Sequence, residues 1–119
     1  THEMWYRVRP MLEPHFRVIF FDNRGVGRSS VTPGPYTIPL LAADAAAVMD
    51  AAGVAQAHIV GISMGGMIAQ EFALAYPERV RKLVLGCTTC GYLSAVQASP
   101  LVQERLRQRA TMTPEEGAW

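Results

Sequence analysis

No histidine follows His58 in this sequence, and no aspartate follows Asp50. Any chemistry that needs those groups late in the chain must draw them from elsewhere. Cysteine is scarce too: Cys87 and Cys90 are the two present, which is too few for a disulfide framework and leaves a reducing cytoplasm as the default. Apolar stretches run only a few residues, well short of the ~20 a bilayer-spanning helix needs. No charged start followed by an apolar run and a small-residue cleavage site appears, so no signal peptide is visible. Charge of one sign is not in excess. Lys and Arg total 11 against 10 acids, scattered along the chain, for a formal net charge of +1. Nucleic acid and anionic membranes need a basic patch, so neither is an expected partner. What the sequence has is apolar residues, half of the 119. That is enough to build one small domain with a core, and too many for a disordered chain.

Three apolar runs read as buried strands, at residues 17–21, 58–62 and 82–87. They lack strict alternation, as expected of parallel strands covered on both faces. The spacing predicts a helix over 39–52, with Pro39 in its first turn and Gly53 just past its end. Leu41, Ala45, Val48 and Ala52 would form its apolar face. A second helix is expected over 64–76, with Ile68, Phe72 and Ala75 inward and Pro77 closing it. Further helices are expected over 3–12 and 101–109. Alternation of strand and helix at this spacing means a parallel sheet with crossovers. Thr113-Pro114-Glu115-Glu116 reads as a helix start, and Trp119 comes one turn later, so the chain reads as a fragment.

One segment carries chemistry. Gly61-Ile62-Ser63-Met64-Gly65-Gly66 lies between an expected strand and an expected helix. This is Gly-x-Ser-x-Gly in the context that gives it meaning. A strand that turns at once into a helix strains its corner residue and points that side chain clear of the sheet. Gly61 and Gly65, without Cβ atoms, would let strand and helix pack closely around the corner. The first turn of a helix also offers unpaired N–H groups and a positive dipole end. Ser63 is thus the candidate nucleophile, and the Met64 N–H the candidate oxyanion donor. With Gly and Ser each near ~7% of residues, about 0.04 such matches arise by chance in a chain this long, and the strand–helix context makes chance rarer still.

Two further segments join that motif. Asp22-Asn23-Arg24-Gly25-Val26-Gly27-Arg28-Ser29 resembles the loop after the fourth strand of α/β-hydrolase fold proteins. Tyr76-Pro77-Glu78-Arg79-Val80-Arg81-Lys82-Leu83-Val84-Leu85 resembles the approach to their sixth strand. The resemblance implies a mostly parallel sheet with helices on both faces. It implies residues 1–90 as the central part of the core, lacking its first strands, and 91–119 as the start of a lid. It implies a triad in the order Ser, acid, His, a small-molecule substrate and no cofactor or metal. It also places the family's third strand between its fourth and fifth, here residues 17–21 and 58–62.

The sequence departs from that pattern where it is sparse. With no Asp or His after Ser63, the base and its orienting acid are absent from these residues. The second oxyanion N–H, expected just upstream of Glu3, is absent as well. His58 stands five residues before Ser63 on a strand, about 16 Å away at ~3.3 Å per residue, and a base must come within about 3 Å. His2 and Asp22 both belong near the carboxyl ends of the strands, so a rearranged Ser63–His2–Asp22 set is an alternative to a capping role for each. Cys87-x-x-Cys90 reads as a strand end and a loop residue, because a redox pair needs a helix N-terminus and zinc needs a second ligand pair. Gly25 and Gly27 read as turn glycines, since no Gly-Lys-Ser/Thr follows. Met64 and Met67 could line an acyl pocket or pack the helix. The reading is a serine hydrolase cleaving an ester, lactone or related carbonyl substrate through an acyl-enzyme on Ser63. The alternatives are a non-catalytic ligand-binding or interaction protein of the same fold, and a nucleotide-binding α/β domain. The second lacks the dinucleotide glycine spacing.

Overall fold

A computed structural model describes residues 1–91 and 95–110. The chain forms two compact units, Thr1–Thr88 and a second that begins at Thr89. The first unit holds a 3₁₀ turn at His2–Trp5, then α1 (Arg9–Leu12), α2 (Ile38–Ala51), β1 (Ala57–Ile62), α3 (Met64–Ala75), a 3₁₀ turn at Pro77–Arg79, and β2 (Val80–Gly86). The second unit contains α4, Pro100–Ala110. The helix start expected at residues 113–116 lies outside the described residues.

β1 and β2 pair in parallel, with Ile59 opposite Leu83 and Ile62 opposite Gly86. The α3 crossover between them gives the expected strand–helix–strand unit. α3 packs on the sheet and α2 packs on α3. Leu41, Ala42, Ala46 and Met49 of α2 meet Ile68 and Phe72 of α3 in one core cluster, with Ala57, Ile59 and Val80 of the strands packed against it. Phe72 is the fully buried centre. The expected stripe is met in part: Leu41 is buried and Ala45 packs against the cluster, while Ala42, Ala46 and Met49 fill the rest of the inward face, where Val48 and Ala52 are only half-buried. α2 carries alanines on every side, so its sequence offers little contrast between faces. On α3, Ala69 is buried and Ala75 is exposed, for the same reason.

The ends of α2 form as the sequence suggests. The Thr37 side chain accepts the Leu40 N–H at 3.3 Å, and Pro39 sits in the first turn. Gly53, at φ 66°, follows the last turn. Its N–H bonds Asp50 C=O at 3.0 Å, and Val54 N–H bonds Met49 C=O at 2.9 Å. That pair of bonds is the Schellman closure, and it requires the left-handed conformation glycine adopts freely.

Two expectations are corrected. Residues 17–21 form no strand: the sheet among the described residues has two strands, β1 and β2. An apolar run becomes a strand only through a ladder of hydrogen bonds, and among the described residues this run pairs with no other strand. Residues 3–12 are not one helix. A 3₁₀ turn ends at Trp5 and α1 starts at Arg9, with Pro10 in its first turn. Pro10 has no N–H for the Tyr6 carbonyl and its ring crowds that carbonyl, so a helix cannot run through from Glu3. The 101–109 helix is present as α4, one residue longer at each end.

Candidate active site

β1 delivers the chain to Ser63, and α3 carries it away. Ser63 has φ 55° and ψ −124°, a conformation that non-glycine residues rarely adopt and that persists only when its surroundings hold it. It occupies the N-cap position of α3, where a serine hydroxyl ordinarily accepts an N–H of the first turn. Here no side-chain cap bond forms. The Ser63 backbone carbonyl takes that role, accepting Gly66 N–H at 2.9 Å and Met67 N–H at 3.3 Å. Ser63 is exposed, and its Oγ has no hydrogen-bond partner among the described residues. Met64 is the first helical residue, so its N–H has no acceptor within the helix. It follows Ser63 directly at the positive end of α3.

The neighbours that hold the corner are only partly those expected. A Cβ on buried Gly61 would collide with the carbonyl oxygen of Gly65 and come within 2.6 Å of its carbon. Gly61 thus permits the close strand–helix approach. Gly65 does not act through its own missing Cβ, which would meet nothing. Gly66 does: a Cβ there would lie 2.5 Å from Thr88 Cβ and Oγ1. Thr88, absent from the sequence reading, also donates from Oγ1 to the Ser63 carbonyl at 2.7 Å. The end of β2 supplies a second tie, from Ser63 N–H to Gly86 C=O at 3.0 Å. The only local signal for Thr88 was a hydroxyl just past the carboxyl end of an apolar run.

His2 and Asp22 come together as the alternative triad required. The Asp22 carboxylate accepts the His2 N–H at 2.5 Å and lies 3.0 Å from His2 Nδ1. It also accepts the Arg28 N–H at 3.2 Å. Ser63 is not joined to them by any hydrogen bond among the described residues, so the set stops at two. The function of this pair is to close loop 22–29 on the residues near Thr1. Ser29 Oγ bonds the Asp22 carbonyl at 2.6 Å, and a Cβ on Gly27 (φ 54°) would run into the Asp22 carboxylate. Gly25 and Gly27 are turn glycines, both at positive φ. Farther along the loop, Arg24 forks onto both oxygens of Asp44 on α2, which holds that carboxyl below its usual range.

The Asp22 pKa falls from its ordinary 3.8 to about 2, through the His2 backbone N–H first, with the Arg28 N–H and the His2 ring adding to it and burial opposing. A lowered folded-state pKa means that the ionised carboxylate stabilises the fold. That contribution is complete above about pH 4 and is lost as pH falls through about 2. In urea unfolding between pH 5 and 2, the advantage of the native sequence over Asp22→Asn is expected to shrink steadily. A difference that stays constant across that window would count against the assignment.

Other features lie away from the corner. A shallow cavity of about 720 Å³, lined by Asp50, Val54, Gln56, Glu78 and Arg79 among others, sits at the amino-terminal end of β1, the opposite end from Ser63. Arg79 fills its wall by bonding Ala55 C=O, Val54 C=O and Asp50. His58, in β1, faces Phe16 edge-on at 6.1 Å. Cys87 and Cys90 are free and exposed. Among the described residues, no three His, Cys, Asp or Glu side chains cluster as a metal site requires, and no helix is long and apolar enough to cross a membrane.

Known proteins resemble this chain. The sequence pattern of the α/β hydrolase fold matches residues 1–112. A poly(3-hydroxyalkanoate) depolymerase of Ectopseudomonas oleovorans is 46% identical over 80 residues, which cover 67% of this chain and 28% of that protein. The 3-oxoadipate enol-lactonase 2 of Acinetobacter baylyi is 37% identical over 105 residues, covering 86% of this chain and 39% of the lactonase. A crystal structure of a hydrolase from Pseudomonas aeruginosa superposes with a TM-score of 0.73 at 39% identity, over 94% of this chain and 41% of that one. The chain thus spans less than half the length of each. With the corner geometry and these matches together, the chain belongs to the α/β-hydrolase fold family.

Proposed function

We propose that Ser63 is the nucleophile of a hydrolase that cleaves an ester, lactone or related carbonyl substrate, and that these residues are its nucleophile-bearing part. The observation that carries the reading is the pairing of a positive-φ Ser63 with a hydroxyl left free of the helix it caps. An ordinary N-cap serine spends its oxygen on the first turn. This one holds it out at the carboxyl end of a parallel strand, where sites form in α/β sheets. A depolymerase and an enol-lactonase among the relatives support the substrate class.

In this mechanism Ser63 Oγ attacks the substrate carbonyl, and its proton passes to a histidine of the parent protein outside these residues. The Met64 N–H donates to the oxygen as it becomes an oxyanion. The tetrahedral intermediate collapses to an acyl-Ser63, the alcohol leaves with the proton, and water repeats the sequence to release the acid. By the family resemblance alone, residues from 91 onward are assigned to the start of the parent's lid segment. No cofactor enters.

An organophosphonate probe tests the reading in the full-length parent. Mass spectrometry is expected to find the label on the peptide spanning Ser63, and none in the Ser63→Ala variant. Label on Ser29 or Ser94, with Ser63 unmodified, would overturn the assignment.

A further inference from the structure

Ser63 is strained, and something outside α3 must keep it so. Its carbonyl accepts three hydrogen bonds. Two come from Gly66 and Met67, inside the helix, and move wherever the helix moves. The third comes from Thr88 Oγ1, at 2.7 Å, on the chain just past β2. Cys87, at φ 46°, is what turns the chain there, and Thr88 then lies over Gly66. The same carbonyl belongs to the peptide unit whose other end is the Met64 N–H. That unit is trans, since the one cis bond among the described residues is Gly34–Pro35. A trans peptide is planar, with its C=O and N–H pointing in opposite directions. A hydroxyl that pins the carbonyl therefore also sets where the N–H points.

From this geometry we infer that Thr88 is a positioning residue for the oxyanion donor. Its hydroxyl grips the Ser63 carbonyl from the sheet side and so aims the Met64 N–H at the developing charge. It touches no reacting atom itself. The inference rests on Ser63 being the nucleophile, and it assigns the tuning of that site to a side chain 25 positions along the chain. An interaction that matters only once the oxyanion forms lowers kcat and kcat/KM together and leaves KM alone.

The test uses the full-length parent, a p-nitrophenyl ester and the phosphonate probe. Thr88→Val keeps the shape and removes the hydroxyl. It is expected to lower kcat and the rate of Ser63 phosphonylation by roughly 10- to 100-fold, part of the ~10²–10³ lost when an oxyanion donor is removed outright. KM is expected to stay near the native value. Thr88→Ser, which keeps the hydroxyl, is expected to restore most of the rate. If the valine variant does not fold, Thr88→Ser against Thr88→Ala makes the same comparison at smaller size. Native kcat in the hydroxyl-free variant would overturn the inference, as would an equal loss in the Ser and Val variants, which would mark Thr88 as packing alone. Failure of the native protein to label at Ser63 would overturn the nucleophile reading itself, and the Thr88 inference with it.

Discussion

The 119-residue chain alone is expected to hydrolyse p-nitrophenyl acetate no faster than its Ser63→Ala variant. Ser63 Oγ has no hydrogen-bond partner among the described residues to take its proton. A neutral hydroxyl attacks slowly. In serine proteases of a different fold, loss of the serine or the histidine costs on the order of 10⁶ in rate, and a loss on that scale is expected for this chain. One donor, the Met64 N–H, remains for the oxyanion, and loss of a second costs ~10²–10³ where the terms are independent. They need not be, so the larger loss alone is the expected bound. The His2 ring is already held by Asp22 at 3.0 Å. Release of that ring toward Ser63 would also expose the Asp22 side chain, which is 3% accessible. Steady-state assay of the purified chain checks this. Turnover well above buffer that disappears in both Ser63→Ala and His2→Ala would reject it in favour of a rearranged triad.

The site was legible in the sequence where its logic is local. Gly61, Ser63 and the switch from an apolar run to a helix are adjacent residues, and the strain at Ser63 follows from their order. The ends of α2 were legible for the same reason, since Pro39 and Gly53 act within a turn of themselves. What depends on contact across the chain was not. Thr88 reaches Ser63 over 25 positions with no periodic mark. Residues 17–21 have the composition of a strand, and composition says nothing about whether a partner stands beside them. The inward face of α2 was read only in part, at Leu41 and Ala45, because alanine on all sides makes every stripe look alike. Pro10 was local and decisive, and the reading of one helix over residues 3–12 overlooked it.

The two glycines of the motif are expected to behave differently, although the pattern writes them alike. Gly61→Ala places a Cβ against the Gly65 carbonyl and 2.8 Å from Gly66 Cα. All of these are backbone atoms, so no flexible side chain can give way. Either β1 or α3 must shift. Overpacking of a filled interior typically costs 1–3 kcal/mol, and a clash against fixed backbone on a buried residue belongs at or above about 3 kcal/mol. A net stability of ~5–15 kcal/mol makes that a large fraction of the whole. Moving β1 from α3 also loosens the turn that strains Ser63, so activity is expected to fall further than the loss of folded protein explains. Gly65→Ala meets open space, and Gly65 lies in the first turn of a helix without positive φ. Its stability is expected to stay within about 0.5 kcal/mol of native, since alanine is the better helix former. Urea midpoints of the two variants in the full-length parent decide the matter. Equal destabilisation by both, or tolerance of alanine at 61, would mean that the strand and helix do not approach each other at Gly61 as closely as the contact with Gly65 requires.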